Sequence, residues 1–134
     1  MALATRRTAP SLDASTGMYA GQITGLIAGE ALDACAACYI KGADGKVYQS
    51  NGTSSNEAAG FDGMSPRAAA AGEPVTLYHI GARFGYGSAL TPGALLYVAA
   101  TAGRLDTAAT TGGDTPVARC VDATDIEIIV AYAR

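Results

Sequence analysis

The sequence predicts a mainly β protein: a compact β-barrel or β-sandwich with one short helix and an extended N-terminal arm. Glycine accounts for 17 of the 134 residues, roughly twice its usual share of about 7%. Hydrophobic residues make up 49% of the chain, yet aromatic residues make up only 7% and tryptophan is absent. From residue 22 onward, short apolar runs alternate with glycine-containing turns, which is typical of many short strands. The length suits one domain with one substantial core.

The first 21 residues differ from the rest. Residues 1–21 show no sustained period of 2 or 3.6 and are rich in Thr, Ser and Ala, which predicts an extended or disordered arm. Residues 22–134 then form the β-rich domain. Arg6 and Arg7 precede the first acidic residue of a chain whose net charge is −3. A basic arm ahead of an acidic body is suited to docking on an acidic surface, and a frayed terminus is the alternative. Three apolar residues are candidate anchors on the arm: Leu12, Met18 and Tyr19.

The strands follow in order along the domain. Asp44-Gly45 favours a tight hairpin turn between the second and third strands. The fourth and fifth strands are expected to pair with each other across Gly81. The last strand alternates most clearly, with Ile126 and Ile128 on one face and Glu127 on the other. The predicted strands are 22–27, 35–41, 46–50, 74–80, 82–87, 94–100, 116–121 and 125–133.

One segment, 65–73 (SPRAAAAGE), predicts the short helix. Ser65 is a capping residue, Pro66 suits the first helical position, and the alanine run has the best helix propensity. Gly72 would end the helix after about two turns.

Cys35 and Cys38 have the spacing of a metal or redox motif. A zinc site would also need Cys120 and His79, the single histidine, because structural zinc takes four ligands. Residues three apart on a strand point to opposite faces, so these two sulfurs would not meet one ion. A thioredoxin-like site needs a βαβ pattern, which this sequence lacks. We therefore expect buried, free thiols in a reducing compartment.

Other chemistry is no better supported. A single histidine in a strand indicates a core or interface residue more often than a catalyst, and no G-x-S-x-G motif occurs. The glycines of GARFGYG do not match the G-x-G-x-x-G fingerprint. Arg83, Phe84 and Tyr86 have the residue types that stack on bases, but the acidic body argues against nucleic acid. We expect no enzyme activity, no metal, no cofactor and no nucleic-acid partner.

The sequence pattern matches neither a signal peptide nor a membrane-spanning helix. Polar residues follow Arg6 and Arg7 where a signal peptide would place an apolar core. No run approaches the roughly 18 apolar residues of a membrane-spanning helix. We expect a soluble protein made in a cytoplasm, with no membrane partner.

Several short motifs succeed one another between residues 28 and 106. They are A-G-E at 28–30, Gly60-Phe61, AAAAGE at 68–73, Thr91-Pro92-Gly93 with Tyr97, and Thr101 with Gly103 and Leu105. Each is unspecific alone, but in this order and spacing they resemble the capsid decoration (cement) proteins of tailed double-stranded DNA bacteriophages. The resemblance covers about two-thirds of the chain and does not extend to Cys35 and Cys38 or to the length of the arm.

The resemblance implies a small, tulip-like β-rich protein on the outer surface of the virion, assembled in the host cytoplasm. Homotrimers would sit at threefold and quasi-threefold positions and clamp neighbouring major capsid subunits. By their position on the arm and their residue types, the expected capsid contacts are Arg6, Arg7, Leu12, Met18 and Tyr19. Two alternatives stay open. One is another virion component, such as a head fibre base or a tail protein. The other is a homo-oligomeric small-molecule enzyme or binding barrel with His79 or the cysteines at a subunit interface.

Overall fold

A computed structural model describes residues 3–12 and 21–133, which form eleven β-strands and a single-turn 3₁₀ helix. The mainly β class predicted from the sequence is confirmed. The strands are β1 (Arg6–Leu12), β2 (Gln22–Ile27), β3 (Ala36–Ile40), β4 (Val47–Gln49), β5 (Gly63–Ser65), β6 (Pro74–Tyr78), β7 (Arg83–Gly87), β8 (Leu95–Val98), β9 (Leu105–Asp106), β10 (Ala118–Cys120) and β11 (Asp125–Ile128). The 3₁₀ helix is Glu57–Ala59.

These strands build two antiparallel sheets, one of them curled into a half-barrel. The six-stranded sheet has the order β1-β7-β11-β10-β8-β9, and the five-stranded sheet has the order β2-β6-β5-β3-β4. Each predicted strand is found close to its expected place, and β2 coincides with residues 22–27. The Asp44-Gly45 hairpin between β3 and β4 is confirmed, with Gly45 at φ +69°. The last strand is shorter than predicted and ends at Ile128.

Two hydrophobic cores lie on opposite faces of the five-stranded sheet. The main core lies between the sheets and includes Phe84, Tyr86 and Ile126, each fully buried. The second core covers the other face of the five-stranded sheet and includes Leu32 and Ala69, which lie on loops outside the strands. Alternation along β3 and β6 explains the division, because successive side chains of a strand point to opposite faces. The fold is therefore a sandwich with an added layer of loops.

The N-terminal segment, residues 3–12, links the two ends of the six-stranded sheet. Its strand β1 pairs with β7 in antiparallel register, with Arg6 opposite Gly87. Leu3 forms a bridge to Asp106 of β9, at the other end of the sheet. The Ala4 amide donates to the Leu105 carbonyl at 3.1 Å, and the Ala4 side chain lies in the main core. The sequence placed this segment in an extended arm; its backbone is extended, and it is paired within the sheet.

The short helix predicted over 65–73 is wrong. Ser65 ends β5, and its hydroxyl donates to the Arg67 carbonyl at 2.6 Å instead of capping a helix. Ala69 and Leu32 exchange both of their backbone hydrogen bonds, at 2.8 and 3.0 Å. Because a helix of two turns is marginal in isolation, burial of Ala69 with two long-range hydrogen bonds outweighs the helix propensity of the alanine run.

The expected pairing of the fourth and fifth predicted strands is also wrong. Strand β6 pairs with β2 and β5, whereas β7 pairs with β1 and β11. The chain crosses between the sheets at Gly81, whose φ is +87°. The Gly81 amide donates to the Ile128 carbonyl at 2.8 Å, and the Ile128 amide donates to the Ala82 carbonyl at 3.0 Å. These bonds carry the chain into the six-stranded sheet instead of folding it back on β6.

The motifs behind the family resemblance occupy turns and core positions. Gly93 and Gly103 both adopt positive φ, at +86° and +76°, in the turns that precede β8 and β9. Phe61 and Leu105 are fully buried in the main core. The Glu30 carboxylate accepts a hydrogen bond from the Gln49 amide at 2.8 Å, at the edge strand β4. These motifs therefore specify the scaffold.

Candidate functional site

Two of the predicted contact residues, Arg6 and Arg7, lie on edge strand β1 with partly buried side chains. Because β1 pairs with β7, the sheet holds the backbone from which both arginine side chains extend. The Arg6 guanidinium lies 3.5 Å from the Asp33 carboxylate and 3.5 Å from the Gly103 carbonyl oxygen. The Arg6 side chain is 17% exposed, whereas that of Asp33 is 60% exposed. Arg6 therefore ties β1 to the loop before β3 and to the hairpin between β8 and β9.

A third arginine, Arg104, lies beside them. Its Nη2 donates to the Ala4 carbonyl at 3.2 Å. Its Nε is buried and has no hydrogen-bond partner among the described residues. No local sequence signal distinguishes Arg104, which was therefore not among the predicted contacts. Only the link between the N-terminal segment and β9 brings it to Arg6.

These side chains surround an open groove of about 340 Å³, which we call the arginine groove. Its described lining residues are Arg6, Arg7, Thr8, Asp33, Ala34, Ala68 and Arg104. Among them are three guanidinium groups and one carboxylate. The groove is thus locally basic, although the chain as a whole has a net charge of −3.

The other three predicted contacts are described less fully. The Leu12 backbone pairs with Phe84 at the end of β1. Met18 and Tyr19 lie outside the described residues. The structure therefore brings Arg6 and Arg7 to one groove and leaves the remaining three as predictions.

The three cysteines are buried and free. Cys35 packs in the main core and Cys38 in the second core, so the prediction that they face opposite sides is confirmed. Burial raises the pKa of the Cys35 thiol to about 11, although Arg6 and Arg7 oppose this shift. Burial also raises the pKa values of the Cys38 and Cys120 thiols. A reactive cysteine needs an accessible thiolate, and these environments disfavour it.

His79 is held by the backbone. Its Nδ1 lies 3.0 Å from the Asp62 carbonyl oxygen. The Asp62 carboxylate in turn accepts a hydrogen bond from the Ile40 amide at 2.7 Å, so it is engaged with β3. Among the described residues, no group of three or more His, Cys, Asp or Glu side chains is arranged to hold a metal ion.

The aromatic residues considered for base stacking are inaccessible. Phe84 and Tyr86 are fully buried in the main core. Arg83 forms ion pairs with Asp122 and Asp125, each at 3.2 Å. Stacking on a nucleic-acid base needs exposed ring faces, and neither ring offers one.

Among the residues that the structure describes, large apolar side chains are exposed on several different strands and loops. They are Leu3, Ile27, Ile80, Leu95 and Tyr132. Tyr132 is the most exposed, at 61%. In the part of the chain that the structure describes, no helix has the length and apolar character needed to cross a bilayer.

The fold thus brings three arginines together in the arginine groove, and two of them, Arg6 and Arg7, are the basic residues predicted from the sequence as contacts. Comparison of the chain with protein-family models, with curated proteins and with solved structures gave no match.

Proposed function

We propose that this protein is a capsid decoration protein that binds the outer surface of a bacteriophage head. It acts as a homotrimer at threefold and quasi-threefold positions and stabilises the head by clamping neighbouring major capsid subunits. The observation that carries the proposal is the ordered series of motifs between residues 28 and 106. The positions of these motifs at turns and in the core, within a mainly β fold, support it.

The N-terminal segment supplies the first capsid contacts in this proposal. Arg6 and Arg7 lie on an edge strand, where the backbone is fixed and the guanidinium groups border an open groove. Because the sheet already holds the backbone at these positions, binding here costs less conformational entropy than binding through a loose arm. Leu12, Met18 and Tyr19 follow along the chain and are proposed as further contacts by position and residue type.

Trimer formation makes weak individual contacts sufficient. Once one subunit has docked, the other two are held near their own sites at high effective concentration. A closed threefold assembly also repeats the same contact around its axis, which matches the symmetry of the proposed positions. No covalent or catalytic step is needed for this role.

The proposal is tested by sedimenting preformed heads that lack the protein together with the purified, labelled chain. Replacing both Arg6 and Arg7 by Gln is expected to weaken head binding about tenfold, because two charged contacts of ordinary strength are lost. The matched control replaces Arg67 and Arg119 by Gln, which removes the same charge from exposed positions outside the groove.

The outcome separates the candidate functions. Saturable binding to heads, with a trimeric mass in solution, supports decoration. Binding to tails or fibres and not to heads would replace the proposal with another virion component. Turnover of a small molecule that is lost in His79→Ala would replace it with an enzyme.

A further inference from the structure

We infer that the arginine groove is a docking site for an acidic, carboxylate-bearing segment of a partner protein. This inference deepens the proposed function, on which it relies for naming the partner as a capsid subunit. Its chemistry rests on the groove alone.

The described lining of the groove carries more positive charge than it neutralises. Its described lining has three arginines and one carboxylate, that of Asp33. Arg104 bonds to a neutral carbonyl and leaves its Nε without a partner among the described residues. Arg7 forms no ion pair with any described residue. An added carboxylate would therefore meet guanidinium groups whose charge is not yet balanced.

Arginine also suits this ligand by shape. Its planar guanidinium presents paired N–H donors that match the two oxygens of a carboxylate. Lysine, by contrast, offers a point charge without this fork. A groove formed by three arginines and no lysine is therefore matched to carboxylate or phosphate oxygens.

One arginine, Arg104, is already held by a backbone carbonyl, and Arg6 makes a longer, weaker contact with another. Arg6 reaches across to the Gly103 carbonyl at 3.5 Å, and Arg104 reaches back to the Ala4 carbonyl at 3.2 Å. The two reciprocal contacts join the N-terminal segment to the hairpin that precedes β9. Donors that are held before binding lose less entropy when a ligand arrives.

Asp33 acts as an internal competitor for the incoming carboxylate. Its oxygen lies 3.5 Å from Arg6 Nη2, longer than the roughly 2.7–2.9 Å of a strong charge-assisted hydrogen bond. The Asp33 side chain is also 60% exposed, so solvent screens the pair. A partner carboxylate can therefore displace Asp33 or bind beside it on the other two arginines.

A peptide segment is favoured over a small free anion by the dimensions of the groove. Its volume of about 340 Å³ is open to solvent and extends from β1 to the loops at Asp33 and Ala68. This volume lies at the lower end of the range for ligand pockets, about 300–1,000 Å³. It admits an acidic side chain together with its neighbours, whereas a single phosphate would leave much of the groove to water.

The test measures binding of a fluorescein-labelled hexaglutamate peptide to the full chain by fluorescence anisotropy, with hexaglutamine as the neutral control and inorganic phosphate as a competitor. Arg7→Gln is expected to weaken hexaglutamate binding about threefold, as loss of one charged contact. Asp33→Asn is expected to strengthen it about threefold, because the competing carboxylate is gone. Arg119→Gln, which removes the same charge outside the groove, is expected to change it less than about twofold.

Arg104→Gln is expected to act like Arg7→Gln, but it also removes the bond to Ala4. Arg7→Gln and Asp33→Asn therefore carry the test if Arg104→Gln does not fold. Binding that is equal in Arg7→Gln and Arg119→Gln, or no gain in Asp33→Asn, would overturn the inference. Phosphate binding as tight as hexaglutamate binding would also overturn it, because the groove would then be a general small-anion site.

The same variants on heads separate this inference from the proposed function. If heads bind the wild-type chain and the Arg7→Gln and Asp33→Asn variants equally, the inference fails and decoration stands. If hexaglutamate binding follows the predicted pattern but heads bind none of the proteins, decoration fails and the acidic-segment site stands.

Discussion

Replacing Gly87 by alanine is expected to detach the N-terminal segment from the six-stranded sheet. Gly87 lies opposite Arg6 in the β1–β7 pair. A Cβ at this position would collide with the Thr5 carbonyl, a backbone group that cannot rotate away. The φ of Gly87 lies outside the left-handed region, so alanine is allowed by the local backbone. The effect therefore comes from the contact alone.

The size of the destabilisation follows from the hydrogen bonds that the displaced segment would lose. Moving residues 3–6 breaks the bond from the Ala4 amide to Leu105 and the bond from Arg104 to the Ala4 carbonyl. Each is worth about 1 kcal/mol net, and overpacking costs about 1–3 kcal/mol if the strand stays in place. We expect Gly87→Ala to lower the free energy of unfolding by about 2 kcal/mol.

The assay combines urea unfolding with hydrogen exchange followed by mass spectrometry. The peptide containing Ala4 should lose protection in Gly87→Ala, while peptides from β3 and β5 should keep theirs. The control is Gly42→Ala, whose Cβ would approach no backbone group within 4 Å and would meet only the Glu57 Oε2, at 3.3 Å, an oxygen that accepts a hydrogen bond from the Gly42 amide. If Gly87→Ala unfolds at the same urea concentration as Gly42→Ala and the Ala4 amide stays protected, residues 3–12 do not link the sheet as described.

Two further predictions concern the backbone and pH. Ala89 is exposed and has φ +54°, so Ala89→Gly should raise the free energy of unfolding by up to about 1 kcal/mol. Ala43 is also exposed but does not have positive φ, so the control Ala43→Gly should lower the free energy of unfolding by about 0.5–1 kcal/mol. The midpoints of urea unfolding compare the two variants. Hydrogen bonds from the amides of Thr124 and Asp125 hold the pKa of Asp122 below its usual 3.8. Because the pKa of this carboxyl is lower in the folded state than in the unfolded state, the resulting stability is present above the unfolded-state pKa. It is lost as pH falls through the folded-state pKa. Asp122→Asn should therefore show a smaller loss of stability than wild type between about pH 5 and pH 2; equal pH profiles would contradict this.

Eight of the eleven described strands were predictable because local signals define them: alternating apolar residues, and glycines with positive φ in the turns, as at Gly45 and Gly93. The strands β1, β5 and β9 were not predicted, because residues 6–12 lack alternation, β5 ends where the helix was expected to begin, and β9 has only two residues. The partners of the predicted strands were not predictable from such signals, and β7 joined β11 and β1 instead of β6. Apolar side chains on both faces of a strand fit more than one neighbour, so long-range packing decides the pairing.

The helix predicted for the alanine-rich segment, 65–73, is wrong for a related reason. Helix propensity is a weak prior that tertiary contacts override. Ala69 is small enough to enter the second core beside Leu32, with which it forms a bridge. The same small side chain that favours a helix therefore also permits close packing of a loop on the sheet.

The candidate site was predictable in part. Arg6 and Arg7 stood out because they precede every acidic residue. Arg104 and Asp33 gave no local signal, since they come from a hairpin and a loop far from Arg6 in the sequence. Only the link from the N-terminal segment to β9 assembles the four side chains around one groove.

The most direct test of the proposed role is a cryo-electron microscopy comparison of heads that lack the protein, imaged before and after incubation with it. We expect new density for three copies at each threefold and quasi-threefold position on the outer surface, with the arginine groove facing a capsid subunit. Unchanged heads at saturating protein concentration, or density only on tails, would contradict it.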